Sequence, residues 1–429
     1  RTPNNQWANH LPETHQKIKP LTPSTIAAIP SAIFFTDKNA NLCSSEIPTM
    51  KITLPPFYLL LLVILVSGCK RDDNANTLSK PAATNQIRQA KGLEIYGYQG
   101  YSIVKISNPW PKATKEYTYV LQQKNAVIPD SLKTFPVIPV PIRTIVVTST
   151  THIPSLEMLG EENTLVGFPS LDLISSEKIR TRIESGKIKE LGNNQNLNTE
   201  VLIDLQPDLI VGFGIDNNNP TLDNLQKNGL QIMLNGDWNE QSPLGKAEWI
   251  KFFGALYNKE DLAEKLFANI EKEYQTTLAL AQKAASKPTV VQGAIYENQW
   301  YLPHGNSWGS VFIRDAGGKY IWSESQGTGS LSLPFETVLE KAGEADFWIG
   351  PAQFTSLKAM TTDNPHYSQF KAYRNKKVYS FSNKKGKTGG LIFYELAPNR
   401  PDLVLKDMLK ILHPELLPDY QLYFFEQLR

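Results

Sequence analysis

The sequence predicts an α/β protein in which two similar lobes are joined by one long helix, and three observations support this prediction. Short β-branched runs alternate with amphipathic stretches from residue 143 to the end of the chain. Between Asp261 and Ala285, apolar residues recur at fourfold spacing, as expected for a helix with one apolar face. The passage from Thr199 to Gly212 is also echoed by the passage from Phe335 to Gly350, since each leads from a helix into an apolar strand.

These patterns predict the individual elements. In the first lobe we predict strands at 143–148, 165–168, 208–212 and 231–234, and helices at 154–159, 200–205 and 222–227. In the second lobe we predict strands at 289–296, 347–350 and 377–381, and helices at 311–315, 336–341 and 401–412. Each lobe is therefore expected to be Rossmann-like, and a ligand cleft is expected between the lobes, at the carboxyl ends of their strands.

A short β segment precedes the lobes. Aromatic and β-branched residues alternate with polar ones at 93–96, 101–106 and 117–121, which predicts three strands. Pro136, Pro139 and Pro141 then predict a stiff connector. We accordingly divide this part of the chain into a β segment with its connector (91–141), an N-terminal lobe (142–260), a bridging helix (261–287) and a C-terminal lobe (288–429).

The residues before the β segment carry addressing signals. Residues 1–49 are rich in Pro, Asn, Thr and Ser, and we interpret them as a non-native or disordered extension, with Met50 as the initiator. Residues 50–69 combine a lysine, an apolar run from Leu54 to Val66 and small residues before Cys69. This pattern predicts a secretory signal peptide that is too short for a comfortable transmembrane helix; a membrane-anchor helix is the alternative. Residues 70–90 are predicted to be a polar tether.

The end of the signal peptide, Val66-Ser67-Gly68-Cys69, resembles the lipobox of bacterial lipoproteins. The resemblance implies cleavage before Cys69 and lipidation of its thiol, so that the lipid holds the protein at a membrane. The following Lys70-Arg71-Asp72-Asp73 resembles a surface-export signal of some Gram-negative lipoproteins. We therefore expect a lipid-anchored protein of the bacterial cell envelope that faces either the periplasm or the cell surface.

Composition excludes several classes of function. The 44 basic and 42 acidic residues give a net charge of +2, so nothing indicates a nucleic-acid partner. The two cysteines, Cys43 and Cys69, form no CxxC or Cys/His cluster, which argues against a structural zinc site or a disulfide framework. We expect a monomer without a cofactor and without a metal-ligand set of its own.

Several motifs in the lobes resemble the iron-siderophore and cobalamin solute-binding proteins of ABC importers, the helical-backbone metal receptors. The matching stretches are Leu191-Gly192, Thr199 to Leu202, Gln206 to Ile210, Ser242 to Trp249, Asp315 to Gly318, Leu339 to Trp348 and Arg400 to Leu405. The resemblance spans about Gly92 to the end of the chain, and its specificity lies in the order of the motifs. It implies two lobes with a rigid bridging helix, a metal chelate as ligand, an ABC permease dimer as partner and no catalysis.

The same resemblance implies one acidic permease-docking residue on each lobe. The matching positions are Glu200 and Glu336, each near the start of a predicted helix. The simpler interpretation is that each carboxylate offsets a helix dipole, which contributes about 0.3–1 kcal/mol. The paired positions favour docking.

Candidate ligand-binding residues follow the carboxyl ends of predicted strands. Aromatic side chains there can stack on a planar chelate, although each is as compatible with core packing. Lys384, Lys385 and Lys387 lie in a glycine-rich loop that is either a solvated basic loop or a cleft rim favouring an anionic ligand. The other candidates are Thr150, Thr151, His152, Phe168, Phe213 and Trp238 in the first lobe, and Trp300, Tyr301, His304, Asn306 and Trp308 in the second. Trp249, on a predicted helix, is expected to pack in the core.

Three other functions are compatible with parts of the sequence. Gly305-Asn306-Ser307-Trp308-Gly309 matches the G-x-S-x-G motif of serine hydrolases, which would need Asp346 as acid and His366 or His413 as base. His152, His304 and His366 would have to converge to bind a bare metal ion. The protein can also be a binding module without an importer, for example a surface scavenger that serves an outer-membrane transporter.

Overall fold

The structure is a computed structural model that describes residues 83–194, 196–214 and 220–429. The extension, the signal peptide, Cys69 and the first part of the predicted tether lie outside these residues. Residues 83–429 belong to one compact unit.

The described part begins with a four-stranded sheet. Its strands are β1 (Leu93–Tyr98), β2 (Tyr101–Ile106), β3 (Tyr117–Gln123) and β4 (Val137–Val140), in that spatial order. The first two pairs are antiparallel and β4 runs parallel to β3. The stretch expected to be a connector therefore contains a strand, and Pro139 is tolerated because β4 is at the sheet edge.

The end of the predicted tether is fixed to the N-terminal lobe. The buried carboxylate of Glu248 accepts hydrogen bonds from the backbone amides of Arg88, Gln89 and Ala90 at 2.6–3.1 Å. The amides of residues 91 and 92 donate to Glu240 at 2.7–3.0 Å. Two carboxylates that are distant in the sequence therefore hold the last residues of the predicted tether and the start of the β segment.

The N-terminal lobe contains a parallel sheet in the order β11-β10-β5-β6-β7. Its elements are β5 (Ile145–Val147), α1 (Ile153–Met158), β6 (Leu165–Phe168), α2 (Glu177–Glu184), β7 (Lys189–Glu190), β8 (Gly192–Asn193), β9 (Asn196–Leu197), α3 (Thr199–Leu205), β10 (Leu209–Phe213), α4 (Pro220–Lys227), β11 (Ile232–Asn235), α5 (Pro243–Glu248) and α6 (Ile250–Leu256). The short β8 and β9 pair only with each other. Every predicted element of this lobe is present, and the helix expected around Trp249 is the pair α5 and α6, while α2 and the short strands β7, β8 and β9 were not predicted.

The bridging helix α7 (Glu260–Ala281) ends four residues before the predicted Ala285 and packs against both lobes. Its buried face includes Phe267 and Tyr274. The Tyr274 hydroxyl donates to Asp315 of the C-terminal lobe at 2.6 Å. The prediction of one helix that contacts both lobes is confirmed.

The C-terminal lobe repeats the order of four parallel strands seen in the first. Its main sheet has the order β15-β12-β17-β18-β19, and only β19 is antiparallel to its neighbour. The elements are β12 (Thr289–Val291), β13 (Ala294–Tyr296), β14 (Gln299–Pro303), α8 (Trp308–Asp315), β15 (Lys319–Tyr320), β16 (Ser330–Leu333), α9 (Phe335–Ala342), β17 (Phe347–Ile349), α10 (Leu357–Asp363), α11 (Lys371–Arg374), β18 (Val378–Ser380), α12 (Ile392–Leu396), α13 (Pro401–Leu412) and β19 (Glu426–Gln427). In the first sheet β5 lies between β6 and β10, and in the second β12 lies between β15 and β17. The four strands β11-β10-β5-β6 thus have the same order as β18-β17-β12-β15, while β7 and β19 are added at opposite edges.

One predicted strand of this lobe is wrong. The run 289–296 is two strands, because the chain leaves the parallel sheet at Gly293 and enters an antiparallel sheet of β13, β14 and β16. Gly293 has φ +81°, and a Cβ there would lie 1.8 Å from the carbonyl oxygen of Tyr301. Only glycine fits this break.

Candidate functional site

The carboxyl ends of β5, β10 and β11 form the side of the N-terminal lobe that meets the other lobe. The Thr151 hydroxyl donates to Asp237 at 2.6 Å, and Asp237 is the second residue after the end of β11. Thr150 is half-buried in the turn that follows β5. The structure thus brings several predicted residues of this lobe into one region, as the strand-end argument required.

A buried polar cluster lies behind this surface. His152 is fully buried, and its Nε2 lies 3.8 Å from Oδ1 of Asp237. Neither ring nitrogen of His152 has a hydrogen-bond partner among the described residues, and the same holds for Asn235 Nδ2 and Asp237 Oδ1. Burial lowers the pKa of His152, although the charge of Asp237 opposes this. His152 is therefore a neutral interior residue at neutral pH, and it is not exposed to a ligand.

Lys246, within the Ser242 to Trp249 stretch, places a buried cation in this region. Its ammonium group donates to the carbonyls of Asp237 at 3.0 Å and Trp238 at 2.7 Å. It also lies 5.5 Å from the ring centre of Trp308 in the other lobe. Burial lowers the pKa of Lys246 to about 8 against the opposing charges of Asp237 and Glu240. No local sequence pattern identifies Lys246 as a residue of the site, because its partners follow β11 and lie in the other lobe.

Aromatic side chains from both lobes accompany Lys246. Phe213 and Trp238 form an edge-to-face pair with ring centres 5.6 Å apart, and both are half-buried. Trp308, also half-buried, contacts Phe312 and Phe393 in its own lobe. These three predicted aromatic residues flank the junction of the lobes.

The remaining predicted aromatic residues divide between core and surface. Trp300 is fully buried and stacks on Trp348 with ring centres 5.1 Å apart, so it packs the C-terminal core. Phe168 is 2% exposed within the N-terminal core. Tyr301 is 37% exposed on β14, next to Tyr296.

The three polar residues before and at the start of α8 have different environments. Asn306 is exposed. His304 lies beside Gly327, and its Nδ1 is buried without a partner among the described residues. Ser307 caps α8, and its hydroxyl accepts a hydrogen bond from the Ser310 amide at 3.3 Å.

The lobes also touch directly beside this region. The Asn399 side chain accepts a hydrogen bond from the Ser155 hydroxyl at 2.8 Å and donates to the Thr151 carbonyl at 2.7 Å. Both contacts join the C-terminal lobe to the start of α1. Sequence reasoning missed Asn399 because no local pattern predicts a contact between residues so far apart in the chain.

The three predicted loop lysines have different environments. Lys384 donates to the carbonyls of Leu422 at 2.8 Å and Tyr423 at 2.6 Å, which fixes the C-terminal segment. Lys385 is exposed. Lys387 forms an ion pair with Glu184 of the N-terminal lobe at 2.6 Å. Two of the three lysines therefore have structural partners in this structure.

The acid and base residues that a serine hydrolase would need each contact a different set of neighbours. Asp346 binds Thr289 and Lys371, His366 binds Gln369, and His413 lies 3.7 Å from Glu415. In the ranges that the structure describes, no group of three or more His, Cys, Asp or Glu side chains is arranged to hold a metal ion.

The two acidic docking candidates occupy equivalent positions. Glu200 lies in the first turn of α3 and Glu336 in the first turn of α9, and both are exposed. α3 leads into β10 and α9 into β17, and these two strands occupy corresponding places beside β5 and β12. Neither carboxylate has an ion-pair partner within the described part of the chain.

Comparison with known proteins agrees with this architecture. The model of the periplasmic binding protein family matches residues 145–384, so the chain belongs to that family. An uncharacterized lipoprotein of Methanocaldococcus jannaschii is 27% identical over 402 residues, which cover 85% of this chain and 94% of the relative. A second uncharacterized lipoprotein of that organism is 24% identical over 394 residues, which cover 85% of this chain and 96% of the relative.

Two solved structures illustrate the similarity. A possible iron-binding periplasmic solute-binding protein of Staphylococcus epidermidis is 19% identical, with a TM-score of 0.49, 64% of this chain covered and 99% of that chain. A periplasmic haem-binding protein of Pseudomonas aeruginosa is 18% identical, with a TM-score of 0.48 and coverages of 64% and 93%. Among the described residues, no helix has the length and apolar character needed to cross a membrane.

Proposed function

We propose that this protein is the solute-binding component of an ABC importer, and that it captures a metal chelate such as a ferric siderophore, cobalamin or haem between its lobes. The observation that carries the proposal is the junction itself. Two lobes of one topology contribute Phe213 and Trp238 from one side and Trp308 from the other. Domain junctions at strand carboxyl ends are the usual ligand sites of such folds.

The chemistry of the junction favours a large, partly planar ligand. Half-buried aromatic rings offer stacking surfaces, which contribute about 0.5–1.5 kcal/mol per ring pair beyond the area buried. The exposed Tyr301, Asn306 and Lys385 add polar groups to the C-terminal side. A bare cation would instead need several converging His or carboxylate ligands.

Delivery to a permease rests on Glu200 and Glu336. Both carboxylates are exposed and lack an ion-pair partner among the described residues, so they remain available to arginines of a permease. Anchoring rests on the lipobox-like sequence before Cys69, and it would keep the protein near that permease in the cell envelope. The domain boundaries at about 142, 260 and 288 belong to this proposal.

The proposal is tested by titrating the full chain with a ferric catecholate siderophore, a ferric carboxylate siderophore, haem and cobalamin while tryptophan fluorescence is recorded. We expect at least one chelate to bind in the micromolar range or tighter. Trp238→Ala should weaken its binding about tenfold, since a lost ring contact costs about 1.4 kcal/mol.

The matched control is Tyr98→Ala, which removes an exposed aromatic stacked on Tyr101 in the separate N-terminal sheet. It should leave affinity unchanged. Binding of none of the four chelates, or equal loss in both variants, would contradict the proposed site.

A further inference from the structure

A second contact between the lobes is formed by the glycine-rich loop after β18. Gly386 and Gly390 lie so close to the N-terminal lobe that a Cβ would be 2.5 Å from Ser175 Cα and 2.2 Å from the Leu173 carbonyl oxygen, respectively. The Thr388 hydroxyl donates to the Asp172 carbonyl at 2.9 Å. Residues 386–390, which we call the strap, therefore bind the loop that precedes α2.

Two carboxylates, one from each lobe, converge on the start of α2 beside the strap. Glu395 of α12 is 4% exposed and accepts a hydrogen bond from the Ser175 amide at 2.7 Å. Glu157 of α1 accepts a hydrogen bond from the hydroxyl of Ser176, which is the N-cap of α2. Two acidic groups at one helix start repel each other unless one is protonated or a cation intervenes.

The neighbouring cations form no ion pair with either carboxylate among the described residues. Arg180 of α2 donates to the Leu171 carbonyl, and Lys387 of the strap pairs with Glu184. His152, in the turn before α1 that packs against α12, is neutral because burial lowers its pKa. Across the described ranges of the chain, neither Glu157 nor Glu395 forms an ion pair with a lysine or arginine.

We propose that Glu395, facing Glu157, is a proton-dependent latch that holds the strap and α12 against the start of α2 and so sets the separation of the lobes on this side of the junction. Protonated Glu395 fits the buried site and keeps the latch closed. Ionised Glu395 faces a second carboxylate in a poorly hydrated position and loosens the contact. This inference concerns the motion of the lobes and does not depend on which ligand is bound.

The direction of the pH dependence follows from linkage. Burial raises the pKa of Glu395 to about 7, and the charge of Glu157 adds to this, while hydrogen bonds from Ser175 oppose it. An opened latch would return the group to an ordinary value near 4.5. A carboxyl whose pKa is higher in the closed state favours that state at low pH, and this stabilisation is lost as pH rises from about 4.5 to about 7.

Hydrogen–deuterium exchange of the full chain tests the latch, read in peptides that cover 171–176 and 386–395. Glu395→Gln keeps the hydrogen-bond acceptor but cannot ionise, so the ratio of wild-type to variant exchange at each pH cancels the intrinsic pH effect. We expect a ratio near one at pH 4.5. At pH 8.5 we expect wild-type exchange to be faster by 10-fold up to the order of 100-fold, as the difference in pKa allows.

A second variant keeps the test decisive if Glu395→Gln folds poorly. Glu157→Gln removes the opposing charge. Exchange in this variant should therefore accelerate at a lower pH than in the wild type, and the total increase in exchange rate should be smaller. Peptides of the N-terminal sheet are the internal control and should show a ratio of one throughout. The same ratio at pH 4.5 and pH 8.5, or a Glu157→Gln profile identical to wild type, would overturn the latch.

Discussion

Asp208 of the N-terminal lobe and Asp346 of the C-terminal lobe make the same pair of hydrogen bonds at equivalent positions. The Asp208 carboxylate accepts from the Thr144 amide at 3.1 Å, and the Asp208 amide donates to the Thr144 hydroxyl at 2.9 Å. Asp346 repeats both bonds with Thr289 at 2.9 and 3.0 Å. The two lobes are thus repeats in side-chain detail as well as in strand order.

The Asp346 pair predicts an acid-sensitive contribution to stability. Partial burial opposes ionisation, but hydrogen bonds from Thr289 and Lys371 outweigh it and lower the pKa of Asp346 to about 2. A carboxylate with a lowered pKa stabilises the folded state above its ordinary pKa, and this stability is lost as pH falls from about 4 to about 2. Urea denaturation between pH 5 and pH 2 should show this loss in the wild type and a smaller loss in Asp346→Asn.

Lys371→Met is the matched variant for this prediction. Its loss of the 2.9 Å ion pair should raise the pKa of Asp346 toward the ordinary value, so the acid-induced loss should be smaller and should be complete at a higher pH than in the wild type. An unchanged profile in both variants would mean that this pair does not contribute to acid stability.

Glu248 predicts that the N-terminal sheet is an integral part of the fold. Glu248→Ala leaves three backbone amides without their acceptor and removes one of the two carboxylates that pair with the buried ammonium group of Lys251, so the free energy of unfolding should fall by about 3–5 kcal/mol. Chemical denaturation measures this directly. Glu271→Gln, which loses a partly exposed ion pair with Arg88, should cost less than about 1 kcal/mol. An equal loss of stability in the two variants would contradict the role of Glu248 in holding residues 88–90.

Trp308 and Trp300 should behave in opposite ways when changed to alanine. Trp300→Ala removes a fully buried ring from the C-terminal core and should cost about 3–5 kcal/mol of stability. Trp308→Ala should cost less stability and should weaken chelate binding, because Trp308 is half-buried at the junction beside Lys246. Denaturation and ligand titration on both variants check this, and full affinity in folded Trp308→Ala would remove it from the site.

Glu200 and Glu336 should act together in transport. Reversing both charges should nearly abolish uptake and leave chelate binding intact, because losing one partner of a desolvated interface pair costs about 2–5 kcal/mol. Single reversals should weaken uptake. The helix-dipole interpretation predicts instead a slightly lower melting temperature with normal uptake. Measuring uptake and melting temperature on the same double mutant separates the two interpretations.

The sequence predicted the parts of this fold that depend on local periodicity. The predicted bounds of β2, β6 and α13 are the observed ones, since long apolar patterns and a proline or asparagine at their ends mark them. The helix α2 was not predicted, because Ile179 and Ile183 are its only apolar residues and two positions do not establish a period. The break at Gly293 depends on the Tyr301 carbonyl, a tertiary contact.

The candidate site was predictable to a similar degree. The rule that ligands bind at strand carboxyl ends led to Thr151, Phe213 and Trp238, which lie in one region. No such rule identifies Lys246, Asn399 or Glu395, because their partners lie in the other lobe or in distant turns. The three lysines of the glycine-rich loop predicted a basic loop, but the sequence did not predict the structural partners of Lys384 and Lys387.

Native mass spectrometry of the protein purified from its source membranes tests the central claim most directly. The account predicts one chelate-sized, metal-containing adduct per protein monomer, which the same protein regains after the adduct is removed and which is weakened in Trp238→Ala. A protein that carries no adduct and acquires none from siderophore, haem or cobalamin, or that binds only a bare metal ion, would contradict it.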